Sequence, residues 1–242
     1  MNQYIFAGKT DIGCKRSNNE DQYVINPEYG FCGMADGMGG AAAGEIASLI
    51  FADTASEILA DNFSPTENEV SFFIKKVFIT VNEKILEHIK KNPDHEGMGC
   101  TAELLAFHNN GFVLGHVGDS RTYLIRNGQL KQITKDHTLV QQQVDTGIIP
   151  PSNKKNHPLR NIILRAIGQK KELSIDIIRG KIFSGDMFLL CSDGLTDMID
   201  DDQIEEIIGS DADIDIKATE LIEQSKKAGG DDNITVVIVS IK

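Results

Sequence analysis

The chain has 242 residues, 40% hydrophobic and 25% charged, the composition of an ordinary globular protein that can bury a substantial core. No apolar run approaches the roughly 18 residues of a membrane span, and the start MNQYIFAGKTDIG lacks the parts of a secretory leader, which together point to a cytoplasmic protein. A formal charge of −12 argues against nucleic acid as a partner, and four widely spaced cysteines without a CxxC pair read as buried thiols, not a zinc site or a disulfide framework.

Strand-like runs open the chain at 4–7, 22–25 and 31–35. Two helices are expected next; the second carries Val70, Phe73, Ile74, Val77, Phe78, Val81, Ile85 and Ile89 at helical spacing. Strands follow at 102–107, 112–117 and 122–125, joined by HNNG and RNG, with Asn127-Gly128 leading into a further strand at 129–133. After Thr138 a short amphipathic helix runs into GIIPPSNKKNHPLRN, the longest irregular stretch. Strands at 174–178 and 187–191, two acidic helices and the last strand, NITVVIVSI, complete the order. That last run is apolar on both faces and should lie deep in a layered structure. Without βαβ alternation, the order predicts an α+β fold of mainly antiparallel sheets with helices packed outside. No repeat or linker divides the chain, so residues 1–242 are read as one domain.

Carboxylates recur at strand ends. In YGFCGMADGMGGAAAGE an apolar run ends on Asp36, and four of the next eight residues are glycine: Gly37, Gly39, Gly40 and Gly44. VLGHVGDSR places Asp119 after such a run, and MFLLCSDGLTD places Asp193. GGDDNITVVIVSI puts Asp231 and Asp232 before one, and RSNNEDQYVI does the same with Glu20 and Asp21. Singly, each reads as a turn. If the strands share two sheets, however, their ends converge and the like charges need cations between them. Hard oxygen donors with no soft partner favour Mg²⁺ or Mn²⁺, leave Ca²⁺ open and disfavour zinc. The bare glycines would let a backbone carbonyl join in.

RSNNED, ADGMGG, GDSR, DHTLV, HPLRNIILRAIG, SDGLTD and DDNIT occur in the order seen in the metal-dependent protein phosphatases, the type 2C serine/threonine phosphatases, and span residues 16–235. The chain resembles that family, and DGMGG resembles its bacterial branch, which is found with serine/threonine kinases. The resemblance implies a four-layer αββα sandwich. It implies that Asp36 bridges two metals, that Gly37 offers its carbonyl, that Asp193 and Asp232 are direct ligands, and that Glu20 and Asp21 hold metal-bound waters. Asp119 with Asp193 resembles the pair that binds a third ion, and Asn233 supports the ligands. Water shared by two Mn²⁺ or Mg²⁺ ions would be the nucleophile, with Arg16 holding phosphoryl oxygens. The implied partners are phosphorylated proteins, including a kinase and its targets, acted on by a monomer. From its neighbours alone, Arg16 reads as a surface ion pair with Glu20 or Asp21.

One departure from the family is Met38, where eukaryotic relatives carry the histidine regarded as the general acid; bacterial relatives share the change. His137 and His157 are weaker candidates for that role, with metal-bound water another. The segment 140–161 corresponds to the family's flap, and its Lys154, Lys155, His157 and Arg160 could meet acidic residues around a phosphosite or simply face solvent. Three rival readings compete. Gly37–Ala42 matches a G-x-G-x-x-A dinucleotide fingerprint, yet a helix, not a parallel strand, is expected after the next helix. DADIDIKATELIE, from Asp211, mimics a calcium loop but has Ile216 and Ile222 where glycine and glutamate are needed; Asp211, Asp213 and Asp215 read better as acidic residues before a helix that ends near Lys226 and Lys227. A catalytically silent phosphoprotein-binding regulator should have lost ligand positions, and none is empty here.

Overall fold

The computed structural model describes residues 4–39, 43–60, 66–109, 111–155 and 157–242. Gly40, Ala41 and Ala42 of the glycine-rich stretch and Asn110 of HNNG lie outside them. The chain begins with strands β1 (Tyr4–Asp11), β2 (Asp21–Asn26) and β3 (Phe31–Met38), then helices α1 (Gly44–Ala60) and α2 (Glu67–Lys91). Next come β4 (Gly99–Cys100), β5 (Ala102–His108), β6 (Gly111–Val117), β7 (Arg121–Arg126), β8 (Gln129–Gln132) and α3 (Leu139–Asp145). The last part holds β9 (Asp176–Lys181), β10 (Met187–Cys191), α4 (Asp193–Thr196), α5 (Asp201–Gly209), α6 (Ile214–Lys227) and β11 (Ile234–Ile241).

One sheet has the order β1-β11-β10-β7-β8, and the other β2-β3-β5-β6-β9 with β4 added on β3. Their pairings are antiparallel. Strand alternation then sorts side chains into separate cores. Phe31 and Ala35 of β3 join Phe51, Ile74, Val77 and Phe78 under α1 and α2. Ile234, Val236 and Ile238 of β11 meet Ile204, Leu221 and Ile222 of α5 and α6. Between the sheets lie Cys32, Met34, Leu105, Phe107, Phe112, Phe188, Val237 and Val239. Three cores between four layers make this an αββα sandwich. Strand β11 feeds two of them, which is why it is apolar on both faces.

The inter-sheet core is widest in aromatic rings at one end. Phe107 and Phe112 meet Phe188 edge-on at 5.7 and 4.9 Å, and Tyr4 stacks on Phe107 at 4.3 Å. Truncating a ring buried like Phe188 costs about 3–5 kcal/mol. Local signals set the element ends. Thr66 caps α2 by accepting from Glu69 N–H, and Asp200 with Gln203 forms a capping box on α5. Asn127 at φ 54° and Gly128 at φ 76° turn the chain between β7 and β8, a conformation few other residues adopt cheaply.

Some elements depart from the sequence expectation. Strand β1 runs on to Asp11 because Gly8, Lys9 and Thr10 pair with β11 although they are not apolar. Strand β9 occupies Asp176–Lys181, not 174–178, because its register is set by pairing with β6. The short β4 and α4 carry no periodicity long enough to read. Strand β3 lies between antiparallel neighbours, so the dinucleotide arrangement is not formed. Asp213 and Asp215 start α6, where Asp215 pairs with Lys9 at 3.2 Å. Among the described residues no helix is long and apolar enough to cross a membrane. The four cysteines are free thiols, Cys14 exposed and Cys32, Cys100 and Cys191 buried.

Candidate active site

The strand-end carboxylates come from both sheets and meet at one rim of the sandwich. Asp36 lies on β3 with the parity of Cys32 and Met34, so it faces the gap between the sheets. Asp21, at the first position of β2, is directly opposite Asp36 in the ladder and is 1% exposed. Asp193 is the first residue of α4, just beyond β10, and Asp119 follows β6. Asp232 precedes β11. The opposed strand directions bring the starts of β2 and β11 beside the ends of β3, β6 and β10.

These groups share one electrostatic field. Burial, then the charges of Asp21, Asp193, Asp119 and Asp232, hold the Asp36 acid well above the ordinary carboxylate range. Burial and the charges of Asp119, Asp197, Asp232 and Asp21 do the same to Asp193. Asp21 and Asp119 are each pushed up to about 6, mainly by burial. Both Asp36 and Asp193 keep part of their surface open, so they are enclosed yet reachable. Like charges at this density oppose the fold unless something cationic joins them.

The glycines next to Asp36 are explained by crowding. A Cβ on Gly37 would lie 2.2 Å from the Gly44 carbonyl oxygen and 2.6 Å from that of Glu20. A Cβ on Gly44 would meet Glu20 Oε2 at 2.0 Å. The Gly37 N–H donates to Glu20 O at 3.1 Å, and Thr101 N–H to Asp36 O at 2.9 Å. Three chain segments therefore touch backbone to backbone around Asp36. Asn233 is the clamp on the other side: its Oδ1 accepts from Glu20 N–H at 2.8 Å, and its amide donates to Ile12 O and Asn18 O. Ser192 donates to Asp21 Oδ2 at 2.9 Å.

Arg16 sits on the exposed loop between β1 and β2. Its Nη2 is 2.6 Å from Asp232 Oδ2, so its acidic partner is Asp232 and not Glu20 or Asp21. Burial draws its pKa down, but Asp232, with Glu20 and Asp36 behind it, raises it on balance.

Among the described residues, no group of three or more His, Cys, Asp and Glu side chains is placed to hold a metal ion as it stands. Repelling carboxylates would close on an ion rather than stand packed in wait for it. The donor set nevertheless fits a divalent cation. Asp21 Oδ1, Asp119 Oδ1 and Asp193 Oδ1 are buried with no hydrogen-bond partner. A buried acceptor left so costs about 1–3 kcal/mol, more when charged, and hard oxygen donors are what Mg²⁺ and Mn²⁺ take.

Several placements were not legible beforehand. Asp197, four residues after Asp193 and within the quoted SDGLTD, turns its charge on both Asp193 and Asp119; the i, i+4 spacing was the available signal. Asp136 of DHTLV is a buried hub. Arg121 grips it with Nε at 3.0 Å from Oδ1 and Nη2 at 2.8 Å from Oδ2, Gln132 donates to Oδ1 at 2.8 Å, and Lys154 Nζ lies 2.9 Å from Oδ2. Burial would raise the Asp136 acid, but Arg121 and Lys154 bring it down to about 2. Two of the flap's cations are thus engaged internally, since Arg160 lies 3.6 Å from Asp197. His137 accepts from Gly118 N–H at Nδ1 and meets Asp176 at Nε2; burial, then the charge of His116, lowers its pKa to about 4. It faces a cavity distinct from the cleft of about 450 Å³ that contains Asp119 and Asp193. His157 Nδ1 accepts from Leu159 N–H within the segment itself.

The family pattern described as protein phosphatase 2C matches residues 15–214. Protein phosphatase PhpP of Streptococcus pneumoniae is 39% identical over 235 residues, 96% of this chain and 95% of that protein. The crystal structure of the Mycobacterium tuberculosis serine/threonine phosphatase PstP/Ppp superposes with a TM-score of 0.92 at 36% identity, covering 98% of each chain. The catalytic domain of PstP in complex with two manganese ions matches with a TM-score of 0.90 at 35% identity, covering 100% of this chain and 99% of that one. The αββα sandwich is the fold that the chain shares with these serine/threonine phosphatases. The chain belongs to the protein phosphatase 2C family.

Proposed function

We propose that the chain, taken whole as one catalytic unit, hydrolyses phosphoserine and phosphothreonine in proteins with Mn²⁺ or Mg²⁺ and reverses the action of a serine/threonine kinase in the bacterial cytoplasm. The observation that carries this reading is the set of unpartnered carboxylate oxygens on Asp21, Asp119 and Asp193 around the crowded Asp36. Asp36, the Gly37 carbonyl, Asp193 and Asp232 would hold two ions, with Glu20 and Asp21 acting through water and Asp119 with Asp193 offering a third position. Ions bound there supply positive charge for the phosphoryl oxygens and an acidified water, so that no covalent phosphoenzyme is needed.

The protein's own groups do the rest. Arg16 is exposed on a loop, and its planar fork can leave Asp232 to bind two phosphoryl oxygens. Asn233 and Ser192 hold the Glu20 backbone and the Asp21 carboxylate in place. Gly37 allows the close chain contact that fixes its own carbonyl. Met38 donates no proton, His137 is engaged by Gly118 and Asp176, and His157 accepts from Leu159 within its own segment, which leaves water as the proton source for the leaving alkoxide.

The test is phosphate release from a phosphothreonine peptide by the purified chain. Release should require Mn²⁺ or Mg²⁺, stop with chelator, and be lost in Asp36→Ala. A well-folded protein that binds phosphopeptide yet releases nothing with any divalent ion would instead be the silent regulator.

A further inference from the structure

The flap, residues 140–161, walls the cleft that contains Asp119 and Asp193; Pro151, Lys154 and Arg160 line it from that side. Backbone bonds close the base of the segment, Leu139 N–H to Ile162 O and Leu164 N–H to His137 O. Farther out, among the described residues, two polar side-chain ties run from 146–161 to the body. One is the 3.6 Å approach of Arg160 to Asp197; the other is the 2.9 Å pair of Lys154 with Asp136. Lys154 also donates to Gln141 Oε1 at 2.6 Å, which joins the outer part of the flap to α3.

Asp136 is a rigid post. Its side chain is 4% exposed, and the guanidinium that grips it is itself braced: Arg121 Nη1 donates to the Tyr123 hydroxyl at 3.3 Å, which donates to Asp201 Oδ1 at 3.0 Å. Arg121 alone already neutralises Asp136. Lys154 is therefore a second cation on a satisfied carboxylate, not needed to keep a buried charge paired. Its loss would leave Asp136 paired with Arg121 and the outer segment tied to the body through Arg160.

We propose that Lys154 is a positioning residue whose ammonium straps the flap to Asp136, and that this strap sets the cleft in which the polypeptide around a phosphorylated residue lies. The proposal deepens, and rests on, the phosphatase reading. A small ester such as p-nitrophenyl phosphate reaches the carboxylates without filling the cleft, whereas a peptide must lie against the flap wall. Loss of the strap therefore separates the two substrates.

The experiment compares the wild type with Lys154→Met and Lys154→Arg in Mn²⁺, on p-nitrophenyl phosphate and on a phosphothreonine peptide. In Lys154→Met the peptide KM should rise by about fivefold or more while kcat/KM for the small ester stays within about twofold. Lys154→Arg should restore the peptide KM. Amide hydrogen exchange over 146–155 should quicken in Lys154→Met alone. An unmoved peptide KM, an equal loss on both substrates, failure of arginine to rescue, or unaltered exchange overturns the strap. A wild type inactive on both substrates sinks the phosphatase reading, and the exchange measurement still judges the strap.

Discussion

Asp21 and Asp36 stand directly opposite each other in the β2–β3 ladder, two carboxylates where cross-strand neighbours are closest. Their repulsion works against the fold and in favour of a bound cation. Asp36→Asn should therefore lower phosphate release by roughly 10²–10³-fold, the scale seen when a group that stabilises developing charge is lost. The same variant should melt at a higher temperature than the wild type in chelator. An Asp36→Asn protein that melts lower in chelator would contradict the repulsion.

The same relationship makes metal a stabiliser. At a hundred times its Kd, a divalent ion that binds only the folded chain adds about 2.7 kcal/mol. Thermal midpoints should climb with Mn²⁺ or Mg²⁺ in the wild type and stay flat in Asp36→Ala. Equal climbs in both proteins would place the bound ion elsewhere.

Gly37→Ala tests the backbone crowding. The new methyl would enter within 2.2 Å of the Gly44 carbonyl, a backbone atom that cannot swing aside. Overpacking of this kind costs about 3 kcal/mol. Denaturant midpoints should report that loss, together with weakened Mn²⁺ dependence; a stable, fully active alanine variant would show that the contact has slack.

Arg16→Lys keeps the charge and removes the fork. If two phosphoryl oxygens are held at once, lysine should rescue little, leaving kcat/KM down by roughly tenfold to a hundredfold. Near-normal kinetics in Arg16→Lys would reduce the role to that of a point charge.

Glu103 and His116 offer a pH test away from the rim. Both side chains are fully buried and hydrogen-bonded to each other; His116 Nε2 also meets Lys135 O at 2.9 Å, so both ring nitrogens face acceptors. Burial alone would depress His116, but Glu103 raises it to about 9. Burial raises Glu103 despite its partner. In both groups the folded chain keeps its proton longer than the unfolded one, so stability falls as pH rises. The share from His116 is complete below its ordinary 6.5 and gone above about 9. The unfolding free energy from urea titrations should fall by on the order of 3 kcal/mol across that window. A Glu103→Gln/His116→Gln double variant should flatten the slope, and a wild type already flat there would refute the charge assignment.

Much of this was legible in the chain. The spacing of Val70, Ile74, Val77, Val81 and Ile85 is a helix because those residues fill one face of α2, and Asn127-Gly128 is a turn because of its backbone preference. Carboxylates at the ends of apolar runs could be seen to converge once two antiparallel sheets were inferred. What stayed hidden depends on partners distant in sequence. Glu103 reads as part of a strand until His116 arrives through the β5–β6 register, and Asp136 is only the first letter of DHTLV until Arg121 and Lys154 close on it. By sequence the basic group of the flap could meet a substrate or simply face solvent, yet two of its members are held by the protein itself.

The rings of Phe107, Phe112 and Phe188 lie at the opposite end of the sandwich from Asp36. Because the acidic groups are shared between the two sheets, these phenyls act as a spacer for a gap whose mouth they never touch. Shaving the spacer would let the plates tilt, and calibration of the distant mouth would drift before the plates came apart.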